Sequence, residues 1–298
     1  MNAIELQNLS KTFRQGWRGT EVSALKGVSL AVEQGEAFGF VGQNGAGKST
    51  TIKILTGALR HDGGEARLFG FDVADFRSRV GLGYVPENPW LYDYLTPLEI
   101  VRMGVIAHGR RKGADVSSHC RQWLERLGLG PVAQRRVRGF SKGMLQRTAL
   151  AHALACEPRL LILDEPLSGL DPLGRREVVD ILLEYRKGGG TVFFSSHVLH
   201  DVERLADRFG LIHKGELRSV QQPSEVCARS ETVLVRSIGA QPVEGLSPEV
   251  GGRWSGDIPA TDVWHVLDRL REAGHTLLEV RPGMSLERLF LDVVRRDQ

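Results

Sequence analysis

Near the start of the chain apolar and polar positions alternate, with Ile4 and Leu6 and then Val28, Leu30 and Val32 in phase. This period of two predicts paired strands joined through the insertion RQGWRGTEVS. AFGFV (37–41) is apolar throughout and reads as a buried strand, after which TTIKILTGAL (50–59) takes up a helical period. From Pro86 to about Leu154 the pattern is helical, in LTPLEIVRMGVIAHG, SSHCRQWLERLGLG and the alanine-rich MLQRTALAHALAC. LLILDE (160–165) and TVFFSSH (191–197) read as buried strands with the helix GRREVVDILLEYRK between them. Strand, helix and strand in one open sheet imply a parallel, right-handed crossover. The expected fold is therefore α/β with a helical insertion at about 88–155.

After about Gln221 the texture changes to short, Gly/Pro-separated elements. ETVLVRS and TLLEV read as strands, DVWHVLDRLREAG and SLERLFLDVVRR as helices, a small α+β domain over 222–298 appended to a main domain over 1–221. Two domains suit 298 residues, since domains commonly run to about 100–200 residues. With 41% hydrophobic and 25% charged residues the composition is that of an ordinary globular protein. The net charge of +3 is too small for the strongly basic face that a nucleic-acid partner requires, so none is expected. Cys120, Cys156 and Cys227 are far apart and odd in number, which suits neither a zinc site nor a disulfide framework and points to a reducing compartment. No stretch approaches the roughly 18 apolar residues of a spanning helix, and the N-terminus lacks a signal-peptide apolar region.

The chemistry begins at GQNGAGKST, residues 42–50, between the AFGFV strand and the following helix. Backbone N–H groups wrap a phosphate chain only where no Cβ intervenes, which Gly42, Gly45 and Gly47 provide among Gln43, Asn44 and Ala46. Lys48 is placed to reach β/γ oxygens and Ser49, followed by Thr50, to ligate Mg²⁺. The strand-to-helix context separates this pattern from a merely structural glycine turn. Asp164 and Glu165 end an apolar strand, at the crevice where parallel sheets bind ligands. There Asp164 can hold Mg²⁺ through water and Glu165 can polarise an attacking water.

With these motifs in this order, residues 1 to about 220 resemble the nucleotide-binding subunit of an ATP-binding cassette (ABC) transporter. The resemblance implies a P-loop NTPase fold: a RecA-like core, an antiparallel β subdomain and a helical subdomain. GFSKGMLQR (139–147) sits where the family has its LSGGQ signature, with Phe140, Lys142 and Met144 in place of Leu, Gly and Gln. By resemblance Ser141 and Gly143 contact the γ-phosphate held by a second copy of the chain. The N-terminus of the helix that follows, with its free N–H groups, independently favours an anion there, beside the plainer reading of Ser141 as an N-cap.

Other roles follow from the resemblance alone. SGLD, ending in Asp171, is similar to the D-loop across the dimer, and His197 to the switch histidine on the γ-phosphate. Phe13 stands where an aromatic stacks on adenine, with a core phenylalanine as the alternative and Trp17 as a rival stacker. Glu87 occupies a position where the family often has a metal-sensing glutamine. Trp90, Tyr92 and Tyr94 line either a groove for a permease helix or the core of the helical subdomain. Lys48 and His197 join Glu165 as the expected catalytic groups, with ATP and Mg²⁺ as cofactors. The implied function is an ATPase that drives export through a separate, polytopic membrane permease, from the cytoplasmic side of the inner (plasma) membrane. An importer ATPase, or a non-transport ABC ATPase acting on ribosomes or nucleic acid, stands as the alternative.

Overall fold

The alternation at the start of the chain builds one antiparallel pair in the computed structural model, which describes residues 1–15, 19–109, 113, 115–228, 231–283, 286 and 290. β1 (Asn2–Gln15) pairs with β2 (Thr20–Glu33) so that Ile4 lies opposite Val32, Leu6 opposite Leu30 and Leu9 opposite Val28. All six are buried, while the polar residues between them face out.

The next elements are β3 (Ala37–Val41), α1 (Lys48–Leu55), β4 (Gly63–Leu68), β5 (Phe71–Asp72) and β6 (Leu82–Val85). Then come α2 (Pro97–His108), α3 (Asp115–Arg126), α4 (Lys142–Ala155), β7 (Leu160–Leu163), α5 (Pro172–Lys187) and β8 (Thr191–Ser196). α6 (Leu199–Leu205), β9 (Arg208–His213) and β10 (Glu216–Gln221) follow. The small antiparallel sheet has the order β2-β1-β4-β5, and the central sheet β10-β9-β3-β8-β7-β6. In the latter β3, β6, β7, β8 and β9 pair in parallel, as the crossover rule requires.

β3 is buried at every position because it lies between β8 and β9 with both faces covered, so no period of two is visible in AFGFV. Phe193 of β8 stacks on Phe38 at 5.9 Å between centroids and packs on Phe40 at 5.5 Å. These contacts fix the sheet beneath the glycine loop. α1 is shorter than its sequence period suggests: Thr56 caps it at Leu55, and Gly57, at φ 74°, turns the chain away.

Among the described residues, those between β6 and β7 form helices, turns and loops and no strand. Thr96 and Glu99 form a reciprocal capping box with Pro97 in the first turn, which starts α2. Ile100, Val137 and Phe140 form a local core with Leu91, Leu95 and Met144 packed against it. Trp90, Tyr92 and Tyr94 do not join it; they are 98%, 59% and 61% exposed, so the helical-core reading of these three aromatics is overturned.

The chain divides into two compact units, residues 1–220 and 221–298. The second contains α7 (Pro223–Ala228), β11 (Thr232–Ile238), β12 (Ser247–Glu249), β13 (Arg253–Pro259), α8 (Val263–Glu272) and β14 (Thr276–Pro282). Its sheet has the order β12-β13-β11-β14, and Val235, Ile258, Val266 and Leu270 lie in its core. The helix expected over residues 285–296 lies, apart from Leu286 and Phe290, outside the described residues.

Candidate functional site

The turn from β3 into α1 makes a loop whose centre is lined by backbone. Gly47, at φ 114°, occupies the N-cap of α1, and a Cβ there would stand 2.8 Å from the carbonyl oxygen of Ala24. A Cβ on Gly42 would collide with the carbonyl oxygen of Ile212 on β9. Neither position admits a side chain, so the two ends of the loop pack directly against the backbone of β2 and β9. Lys48, the first residue of α1, is only 5% exposed; its Nζ donates to the carbonyl of Gly42 at 2.6 Å and of Gln43 at 3.3 Å. The ammonium is thus held against the loop backbone, while the first amides of α1 have no intrahelical acceptor. Gln43, Asn44, Gly45, Gly47, Lys48, Ser49, Thr50, Glu87, Glu165 and His197 line a pocket of about 300 Å³. Gly42 and Ala46 are buried in the floor of the turn.

Asp164 and Glu165 follow β7 directly. Both are nearly buried, at 5% and 8% exposure. Glu165 has φ 49°, a left-handed conformation that costs a non-glycine residue about 1–2 kcal/mol and needs support from its surroundings. Ser195, fully buried near the end of β8, supplies it. Its Oγ donates to Oδ1 of Asp164 at 2.6 Å and accepts from the backbone N–H of Glu165 at 2.9 Å. One hydroxyl therefore holds both acidic residues in register.

The Glu165 carboxylate is oriented from two sides. Its Oε2 lies 2.8 Å from Nδ1 of His197, just past β8, and its Oε1 lies 3.5 Å from Nζ of Lys48. A smaller pocket of about 90 Å³ adjoins Glu165 and His197 and is also lined by Ser168, Arg175 and Asp201. Burial pushes the Asp201 carboxyl up, an effect reduced by Arg175 at 3.7 Å.

Ser195 was not among the residues singled out from sequence. Its signal is faint: the first of two serines at the end of a fully buried strand. Ser195→Ala should destabilise the protein by about 1–3 kcal/mol, because the buried Glu165 N–H loses its acceptor. Urea unfolding checks this, and an unchanged midpoint would contradict the bridging role.

Besides Gly42 and Ala46, five expected site residues lie outside the lining of the loop pocket. Asp164 sits behind Glu165. Phe13, on β1, is 36% exposed with Lys11 Nζ 5.6 Å from its ring centroid, so the core reading of Phe13 is excluded. Trp17 lies outside the described residues. Ser141 caps α4, its Oγ accepting from Met144 N–H at 3.3 Å; Gly143 lies in the first turn of the same helix. Asp171 caps α5, its carboxylate accepting from Gly174 N–H at 3.1 Å. A separate cavity of about 580 Å³ is walled by Trp123, Arg159 and Tyr185 near the start of β7 and β8, whereas Glu165 and His197 follow the ends of those strands.

The hydroxyl of Ser49 and the carboxylates of Asp164 and Glu87 are hard oxygen donors of the kind Mg²⁺ takes. A loop that requires glycine at 42 and 47, closed by a buried ammonium, has the form of a triphosphate cradle.

A family profile described as ABC transporter matches residues 25–168. An uncharacterized ABC transporter ATP-binding protein of Synechocystis sp. is 38% identical over 99% of this chain and 82% of its own length. The linearmycin resistance ATP-binding protein of Bacillus subtilis is 32% identical over 76% of this chain and 71% of its own. Among solved structures, the dimeric ATP-binding cassette MJ0796 in a post-hydrolysis state with ADP and Pi superposes with a TM-score of 0.68 at 25% identity, covering 74% of this chain and 98% of that one. The parallel sheet and its phosphate-type loop are those of a P-loop NTPase of the cassette type. A likeness at 38% identity along 99% of this chain and 82% of the relative reaches far beyond shared motifs: the chain belongs to the ABC transporter family, as one of its ATP-binding, ATP-hydrolysing subunits.

Proposed function

We propose that the chain closes as a pair around two Mg-ATP molecules, that hydrolysis reopens the pair, and that this cycle drives export through a separate membrane permease. The observation that carries the reading is the split in the site. The glycine loop, Glu165 and His197 share one pocket, whereas Ser141, Gly143 and Asp171 line none of it. A second copy is the natural source of the missing contacts, and the dimeric MJ0796 cassette supports that arrangement.

Within each pocket Lys48 clamps the β- and γ-phosphates and the loop amides hold the remainder. Ser49 and Asp164 would hold Mg²⁺ with Glu87 as a further oxygen donor, where the ion's charge would stabilise the phosphate oxygens. Asp164 has Oδ1 committed to Ser195, which leaves Oδ2 for this work. Glu165 is the general base for the attacking water, His197 holds both that carboxylate and the γ-phosphate, and Phe13 stacks on adenine. Ser141 and Gly143 receive the γ-phosphate of the partner's ATP at the exposed end of α4, and Asp171 faces the same interface.

No helix among the described residues is long and apolar enough to cross a membrane. The permease is therefore assigned to another chain, met at the cytoplasmic face of the plasma membrane. Exposed Trp90, Tyr92 and Tyr94 supply an apolar patch for one of its helices. Export is favoured by SKGM in the signature, by Glu87, and by similarity to the linearmycin resistance protein. The C-terminal unit serves as an accessory contact or regulatory domain.

Tagged Glu165→Gln protein, recovered with Mg-ATP from detergent-solubilised membranes of its native cell, should bring down a polytopic membrane protein in near-equal amount. Recovery of ribosomal or DNA-bound proteins, with no membrane partner, would replace the transport reading by one of the non-transport cassettes.

A further inference from the structure

Lys142 replaces a glycine of the LSGGQ pattern, and the structure gives its side chain a specific place. Nζ of Lys142 donates to Oγ of Ser168 at 3.1 Å, joining the first turn of α4 to the segment that follows β7. The aliphatic stem lies over Gly169, where a Cβ would stand 2.8 Å from Lys142 Cδ. Alongside, a Cβ on Gly143 would stand 3.0 Å from the carbonyl oxygen of Gly169. One turn further on, Arg147 reaches Glu177 of α5 at 2.9 Å, and its side chain is mostly buried. Ser168 in turn donates its backbone N–H to the carbonyl of Glu165 at 3.0 Å, and its side chain lines the small pocket against Glu165 and His197.

We propose that Lys142 is a positioning residue that makes the N-terminus of α4 and residues 165–171 one body, so that the placement of α4 sets the placement of the Glu165 carboxylate in the same chain. An exposed ammonium–hydroxyl contact adds little to stability, so its effect is geometric. Glycine at this position, as in LSGGQ, has neither a stem to cover Gly169 nor a donor for Ser168. The proposal rests on Glu165 as general base. Lys142 itself touches no group in the nucleotide pocket of its own chain, which is why its loss should appear in kcat and not in KM.

The test is a double-mutant cycle on the full chain, reading kcat and KM for ATP together with the thermal midpoint. Lys142→Met, which keeps the stem and removes the donor, and Ser168→Ala should each lower kcat about fivefold with KM within about twofold. The double variant should be no slower than either single one, and Lys142→Arg should recover most of the rate. Midpoints should stay within about 2 °C, as expected for an exposed contact. Unchanged kcat in Lys142→Met, or losses that multiply in the double variant, would overturn the proposal. So would a loss of kcat that only follows a fall in the midpoint. Full turnover by Glu165→Gln would remove the base assignment itself and the proposal with it. An inactive Glu165→Gln beside a flat Lys142 cycle would remove the proposal alone.

Discussion

Glu165→Gln is expected to lower ATP turnover by about 10²–10⁴-fold while leaving ATP bound. Gln has the shape of Glu, so the backbone support from Ser195 and the contact with His197 can persist. What is lost is the capacity to take a proton from water. The exchange also removes a negative charge 3.5 Å from Lys48, which leaves the ammonium freer for phosphate and should hold ATP at least as tightly. Steady-state phosphate release and equilibrium binding of a fluorescent ATP analogue separate the two effects. Turnover at the wild-type rate would remove Glu165 as the base.

Lys48→Ala should weaken ATP binding by about 10–100-fold, the worth of charge-assisted hydrogen bonds, and lower turnover by at least as much. Among the described residues lining the pocket, Lys48 is the single Lys or Arg. It is buried and held to two loop carbonyls, so no neighbouring cation can take its place by a rotamer change. Its loss also leaves the Glu165 carboxylate without its ammonium neighbour. Lys48→Arg should not rescue binding, because a planar guanidinium is larger than the ammonium that contacts Gly42, Gln43 and Glu165 and cannot reproduce its point-charge geometry. Unchanged affinity and turnover in Lys48→Ala would make the glycine loop a structural turn.

What could be read from the sequence was local in its cause. The loop at residues 42–50 declares itself because glycines, lysine and hydroxyls stand together between a strand and a helix. Ile4, Leu6 and Val28 fall on the buried face of β1 and β2 as their alternation requires, whereas the register shifts after Leu6 and again around Leu9 leave no mark in that alternation. β6, at four residues, and β9, with Gly210 inside it, are too short or too interrupted to show a period. β12 and β13 were hidden by proline and glycine in SPE and RWSGDIP. Ser195 could not be seen because its two partners lie about 30 residues away in sequence and meet it only when β7 and β8 pair. Lys142 was legible as a departure from a motif, but its contact with Ser168 required the fold. Trp90, Tyr92 and Tyr94 were ambiguous because apolar residues in a loop read alike whether they face a core or a partner; their exposure excludes the core.

The central claim, that the site is completed by a second copy around ATP, is tested most directly by sedimentation of the Glu165→Gln protein with and without Mg-ATP. Monomer is expected without nucleotide and dimer with it. Ser141→Arg in the same background should bind ATP yet stay monomeric, because the bulky cation fills the exposed end of α4. A protein that remains monomeric at saturating Mg-ATP, or an ATP-dependent dimer that survives Ser141→Arg, would contradict it.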